Sequence, residues 1–218
     1  DDAISKRGAS PTQLLDKLGF FSGGRTVGAH GVWLDDADLR VIKDRGVGLA
    51  HCPSSNTKLA SGVARVVEIL ERGIAMGLGT DGFAGSNNDA LLMEEIDLAC
   101  KMQKVTRMDP TALSAQQAVE MATIIGARAL GMDKEIGSLE AGKRADIISI
   151  SLADSRATPL YNAYSHIAYA LKGSDVRDVM VNGRLVVRDR RPLTLNPALI
   201  LAKAQQYRKQ ILESLKKK

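Results

Sequence analysis

Three short runs of small apolar residues stand out in the first part of the chain, and each ends on an ionisable side chain. They are Arg25-Thr26-Val27-Gly28-Ala29-His30, Gly46-Val47-Gly48-Leu49-Ala50-His51 and Ile74-Ala75-Met76-Gly77-Leu78-Gly79-Thr80-Asp81. The third carries no charge before Asp81, the pattern of a strand buried on both faces, as parallel strands of α/β folds are. Helical patterns separate the runs. Leu34 to Asp38 opens a helix with acids at its N-terminus, where the dipole favours them, and Leu39, Val41 and Ile42 form its apolar side before Gly46 ends it. Val63 to Arg72 places Val63, Val66, Val67 and Leu70 on one face and stops at Gly73. Ahead of the first run, Ser10-Pro11 is a helix start, Leu14, Leu15 and Leu18 give an apolar side, and Gly19 ends it. Cys52-Pro53-Ser54-Ser55-Asn56-Thr57 has the composition of a loop. Strand ends at positions 30, 51 and 81 keep the rhythm of βα units, which build a parallel sheet or barrel.

Beyond Asp81 the rhythm changes. Asn88 to Lys104 and Ser114 to Leu130 read as long helices, and Ile136 to Lys143 is a turn-rich bridge into a strand, Ala145 to Ile150. His166 to Leu171 and Asp178 to Val187 are further strand candidates, the latter with an Asn182-Gly183 pair that marks a tight hairpin. Pro197 to Lys218 is an amphipathic helix carrying Leu199, Ile200, Ala204, Tyr207, Ile211 and Leu215. The expected class is therefore α/β, organised as an α/β part over 1–135, a small β segment over 136–195 and a C-terminal helix over 196–218.

Composition changes this picture little. The 218 residues are 44% hydrophobic and 25% charged, enough for a real core. Much of the net charge of +5 is the terminal Lys216-Lys217-Lys218, and with few aromatics and scattered basic residues a nucleic-acid partner is not expected. No apolar stretch approaches the roughly 20 residues of a bilayer span, so no membrane partner is expected. Cys52 and Cys100 form no disulfide framework, which fits a cytoplasmic location. The chain opens Asp1-Asp2-Ala3 without an initiating methionine and reads as though it begins inside something longer.

Each ionisable strand end has an ordinary structural reading. Asp81 before Gly82 is a common turn pair, and His30 and His51 taken singly are hydrogen-bonded core or loop residues. His166 has no acidic or histidine neighbour and is read as structural. Together the odds change: two of the three histidines end apolar strands just before the strand that ends in Asp81, and in a parallel barrel such ends converge on one face. Imidazole and carboxylate are the usual ligands of zinc or iron, and such a site makes water acidic.

The words around these positions are recognisable. Ala29-His30-Gly31-Val32-Trp33-Leu34-Asp35-Asp36, His51-Cys52-Pro53-Ser54-Ser55-Asn56-Thr57-Lys58-Leu59-Ala60-Ser61-Gly62 and Gly79-Thr80-Asp81-Gly82 with Ser86-Asn87-Asn88 resemble the last three barrel strands of the amidohydrolase superfamily. The resemblance is to the branch of methylthioadenosine/S-adenosylhomocysteine deaminases and triazine hydrolases. Gly137 to Asp146 resembles the passage by which that family leaves its TIM barrel for a small β-sandwich. The resemblance implies a metal-dependent hydrolase that attacks a carbon of a small heteroaromatic ring and expels ammonia, using one divalent ion, zinc with iron as the alternative. It implies that Asp81 binds the metal and moves the proton of the attacking water, acting as base and then as acid. His30 implies a metal or water ligand, His51 a position near the substrate, and Trp33 and Asn56 pocket positions. Family likeness also suggests a homo-oligomer, with the C-terminal helix packing on the barrel or on a second subunit.

The same resemblance sets out what is absent. The family's paired His-x-His and its His-x-x-Glu have no counterpart here, while a catalytic zinc takes about three protein ligands plus water. The expectation is the C-terminal half of a larger enzyme, inactive by itself. A triazine or guanine-type hydrolase, and a non-catalytic half-barrel that serves as an interaction or complementation module, are the alternatives.

Overall fold

The computed structural model describes residues 2–216. A short helix α1 (Asp2–Arg7) precedes α2 (Pro11–Lys17), where the Ser10 hydroxyl accepts from the Gln13 amide and Pro11 fills the first helical position. There follow β1 (Val27–Ala29), α3 (Asp36–Asp44), β2 (Gly48–His51), α4 (Pro53–Lys58), α5 (Val66–Glu71) and β3 (Met76–Leu78). The three strands form a parallel sheet in the order β1-β2-β3, with Ala29 level with Ala50 and His51 level with Leu78. Two bonds extend the ladder beyond the strands: His30 N–H donates to the Ala50 carbonyl at 2.7 Å and Gly79 N–H to that of His51 at 2.9 Å. The ends that carry His30, His51 and Asp81 therefore lie along one edge of the sheet, as the apolar runs predict.

β3 is buried as expected, whereas β1 exposes Val27 and Ala29. The core gathers Leu39 and Ile42 from α3, Leu49 from β2, Val66 and Ile69 from α5 and Met76 from β3. Helices α6 (Leu92–Arg107), α7 (Ala115–Met121) and α8 (Ile124–Leu130) cover it with Ile96, Ala99, Cys100, Ala118 and Met121. Glycine makes the cover close. A Cβ on Gly48 would lie 2.1 Å from the Ala129 carbonyl oxygen, and one on Gly77 2.8 Å from the Gly126 Cα, so the strands are glycine-rich where α8 crosses them.

Five elements depart from the pattern reading. The helix expected over Asn88–Lys104 begins only at Leu92 and runs to Arg107, because the Asn87 and Asp89 side chains take the amides of Asn88 and Leu91 in turns ahead of it. Cys52–Thr57 is helical, as α4: Pro53 presets the first turn, and the free Ser54 N–H is satisfied by the Glu95 carboxylate of α6 at 3.0 Å, a partner no local pattern reveals. α5 begins at Val66 rather than Val63, because the Gln103 side chain takes the Ala64 carbonyl at 3.0 Å and keeps that segment out of the helix. The helix expected over 114–130 breaks into α7 and α8 at Thr123, whose hydroxyl bonds back to Val119 at 2.8 Å. The His166–Leu171 strand is a π-helical turn, His166–Ala170, entered from a single helical turn, α9 (Ala163–Ser165), capped by Asn162. His166 itself bonds locally to the Asn162 carbonyl, as a structural histidine does.

Compactness divides the described chain otherwise than at positions 135 and 195. One unit holds the residues up to Arg144 together with Leu152–Asp175, because Ala168 joins the core described above. The other holds Ala145–Ser151 and the chain from Val176 onward. Its antiparallel sheet runs in the order β4 (Ile147–Ile150), β5 (Val176–Val181), β6 (Arg184–Arg188), β7 (Arg191–Pro192). The hairpin at Asn182-Gly183 is as read, both residues having positive φ, and Asn182 N–H donates to the Asp146 carboxylate at 2.6 Å. The last helix, α10 (Pro197–Leu215), is capped by Asn196; residues 217 and 218 of the expected helix lie outside the described residues.

Candidate active site

His30 and Asp81 follow β1 and β3, and both adopt the left-handed backbone conformation, with φ of 68° and 59°. Such values are uncommon outside glycine, though His and Asp are among the residues that accept them, and they cluster where a site needs a side chain aimed off the strand direction. The result is that the His30 Nε2 and the Asp81 Oδ2 face one another at 3.8 Å across the width of the sheet.

Each of the two is held from behind by the segment after β2. The Ser55 hydroxyl donates to Asp81 Oδ2 at 2.6 Å, and the amide of Gly82 donates to Oδ1 at 2.7 Å. Donation from Ser55 first, then from Ser86 and from the Gly82 amide, holds the Asp81 carboxyl below the usual carboxylate range, with the nearby His30 a smaller contribution. Asn56 is buried, and its Oδ1 lies 2.9 Å from His30 Nδ1. An acceptor at that position favours a proton on Nδ1, the tautomer that leaves Nε2 as the lone-pair nitrogen toward Asp81.

A cavity of about 420 Å³ opens on this pair, lined by His30, Trp33, Ser55, Asn56, Leu59 and Asp81 among others. That volume is within the range of small-molecule sites. Trp33 stands 84% exposed at the cavity wall, a large flat surface. His51 is placed differently. It is fully buried, is not among the cavity-lining residues, and neither ring nitrogen has a hydrogen-bond partner among the described residues. Burial first, and the neighbouring His30 second, push its pKa down to about 4, so its ring is neutral at physiological pH.

The structure thus brings His30, Asp81, Asn56 and Trp33 to one cavity and sets His51 into the core. Ser55 is the residue that pattern reading missed. Its sole signal is its place beside Asn56 in a polar run after an apolar strand, and only the helical turn of α4 shows that the two neighbours reach different partners. Among the described residues no three His, Cys, Asp or Glu side chains are grouped to hold a metal ion. The donor pair that does exist, the His30 imidazole and the Asp81 carboxylate, has the chemistry that divalent zinc accepts. It supplies part of a ligand set.

Fold and site together define a parallel α/β scaffold with polar groups at the carboxyl ends of its strands. Residues 2–186 match the Amidohydrolase family, and the chain belongs to it. The 5-methylthioadenosine/S-adenosylhomocysteine deaminase of Thermodesulfovibrio yellowstonii is 40% identical over 214 residues, which is 98% of this chain and 48% of that protein. A zinc-bound adenosine deaminase structure from Xanthomonas campestris superposes with a TM-score of 0.92 at 35% identity, covering 97% of this chain and 48% of the other. The zinc complex of an atrazine chlorohydrolase from Arthrobacter aurescens TC1 gives a TM-score of 0.80 at 27% identity, over 94% and 45% of the two chains. The chain spans about half the length of the curated relatives it matches. No helix among the described residues is long and apolar enough to cross a membrane.

Proposed function

We propose that these residues form the last three βα units of a metal-dependent amidohydrolase barrel and supply one side of a site that hydrolyses an exocyclic C–N bond of an aminopurine nucleoside. The observation that carries this reading is the facing pair, His30 Nε2 and Asp81 Oδ2 at 3.8 Å, at the mouth of a cavity of nucleoside size. The names of the relatives support the substrate class, the adenosine-type deaminases being more similar in sequence than the triazine hydrolase.

In this reading His30 and Asp81 are two of the protein ligands of a divalent ion, zinc by the donor set and by the zinc-bound neighbours. The ion, when bound, supplies Lewis acidity toward water and substrate. Further ligands come from outside these 218 residues. Asp81, kept ionised by Ser55, takes a proton from water as it adds to the ring carbon and gives it to the departing amine, so the one carboxylate is base and then acid. His30 keeps Nε2 free for its ligand role because Asn56 occupies Nδ1. Trp33 offers its indole face to the flat ring, and His51 supports the strand end from the core rather than reading the substrate.

The test is a chimera in which this chain replaces the matching half of the Thermodesulfovibrio yellowstonii protein. It should bind zinc stoichiometrically and release ammonia from adenosine, 5′-methylthioadenosine or S-adenosylhomocysteine. A chimera that folds cooperatively and holds zinc, yet releases ammonia from no aminopurine nucleoside, would overturn the substrate reading.

A further inference from the structure

Glu95 is a fully buried carboxylate in α6 with no role in the chemistry set out above. Its two oxygens serve two different segments. Oε2 accepts from the backbone N–H of Ser54, and Oε1 accepts from Asn87 Nδ2, each at 3.0 Å. Ser54 directly precedes Ser55 and Asn56, which hold Asp81 and His30. Asn87 lies in the loop that follows Asp81: its N–H closes that loop on the Gly82 carbonyl at 3.0 Å, and its Oδ1 accepts from the Asn88 N–H at 2.7 Å. We propose that Glu95 is the positioning residue of the site, a single buried carboxylate that locks the segment after β2 to the loop after β3 and so fixes the His30–Asp81 separation.

Three features favour this over a packing role. The hydrogen-bond donors of Glu95 are the neutral Ser54 N–H and Asn87 amide, and the charged neighbours that act on it are the acids Glu94 and Asp89, so its charge is desolvated without a compensating cation, an arrangement that costs more than an apolar side chain of like size. Burial accordingly raises its pKa, with donation from Ser54 opposing. Next, the bonds are divided, one oxygen per segment, where a helix cap would need only the first. Finally, both segments reach the cavity through one further hydrogen-bond step, Ser54 through its neighbours Ser55 and Asn56, Asn87 through Gly82. The proposal rests on the reading of His30 and Asp81 as the working pair, but its geometry and its test need no turnover.

The test exchanges donor and acceptor. Glu95→Gln keeps an acceptor for Ser54 but turns an amide toward the Asn87 amide. Asn87→Asp keeps the oxygen that caps its own loop but turns a carboxylate toward Glu95. Each single change breaks the same bond, and the double variant restores it with polarity reversed, the amide at 95 donating to the carboxylate at 87. The readouts are made on the chain as it stands: amide hydrogen exchange at Ser54 and Asn87, and ring ¹⁵N shifts of His30 by NMR, with exchange in β2 as the measure of global stability. Each single variant should speed exchange at Asn87 by about tenfold, the effect of losing one hydrogen bond to a charged group, and should broaden or split the His30 signals while β2 stays protected. The double variant should return both readouts to within about threefold of the parent. Unchanged His30 signals in a folded single variant, or a double variant worse than either single one, would overturn the proposal. Should Glu95→Gln fail to fold, Asn87→Asp, which alters a loop residue, decides by the same two readouts. Loss of ammonia release from the chimera with these readouts intact would count against the deaminase reading and leave the positioning role standing.

Discussion

Asn56 Oδ1 lies 2.9 Å from His30 Nδ1, and this contact decides which ring nitrogen faces Asp81. Asn56 is buried, so the partner of His30 Nδ1 is a fixed protein group rather than solvent. Asn56→Leu keeps the volume and removes the acceptor. It should leave a mixture of His30 tautomers, visible as averaged ring ¹⁵N shifts. In the zinc-binding chimera it should weaken the metal about 10- to 100-fold, the usual cost of losing a ligand's supporting partner. A single sharp tautomer in Asn56→Leu would remove the basis of this account.

Ser55 supplies the largest of the contributions that hold the Asp81 carboxyl low. The sign of its removal is fixed. A base must be ionised to take a proton, so a depressed pKa extends activity toward acid. Ser55→Ala should raise the Asp81 pKa and move the acid limb of the chimera's rate–pH profile to higher pH, with the alkaline limb in place. Superimposable profiles for the parent and Ser55→Ala would show that the 2.6 Å bond has no part in tuning the base.

Asp81→Asn removes both the charge that attracts a cation and the proton acceptor. In the chimera kcat should fall by about 10²–10⁴ for the proton transfer alone, with further loss for metal. Glu94→Gln and Asp97→Asn on α6 should leave the rate unchanged. Ammonia release measured beside zinc content separates the two losses: full zinc with low turnover marks the proton role, whereas loss of both marks the ligand role.

What could be read from the chain follows from where its forces are local. The three apolar runs carry their own periodicity, and the Asn182-Gly183 hairpin and the Ser10-Pro11 helix start carry their own turn and cap chemistry, so these were legible. His30 and Asp81 were legible as strand ends. Their φ of 68° and 59°, which turn the side chains toward each other, were not, because His30-Gly31 and Asp81-Gly82 also suit ordinary turns. α4 was read as a loop because its first amide is satisfied 41 residues away, by Glu95. The Ser114–Leu130 pattern gave no sign of the break at Thr123, since β-branched residues sit in many helices and only back-bonding to Val119 distinguishes this one. His51 shows the same limit in another form. It ends a strand as His30 does, but the register Ala29↔Ala50 and His51↔Leu78 keeps it inside the ladder, while His30 falls one step beyond it.

That burial makes His51 a test of stability rather than of turnover. Its pKa is 6.5 when free and about 4 in the fold, so above pH 6.5 the ring is neutral in both states and contributes no pH dependence. As pH falls from 6.5 toward 4 the unfolded chain takes up a proton that the folded chain refuses. The unfolded state gains, and the fold loses up to about 3 kcal/mol across that window. Glu95 acts the other way: burial raises its pKa, so the fold takes up its proton more readily than the unfolded chain and is favoured as pH drops. Exposed carboxylates held low, such as Asp36 and Asp178, lose their contribution only at lower pH. Comparing the parent with His51→Leu cancels these other groups. At pH 7 the variant should be as stable as the parent or more so, since it removes two buried ring nitrogens that lack partners. At pH 4.5 it should be the more stable by roughly 2–3 kcal/mol, read from urea midpoints at the two pH values. Parallel losses in the two proteins would mean that His51 gains a proton in the folded state, and so that its ring nitrogens reach a partner that the packing of β2 does not provide.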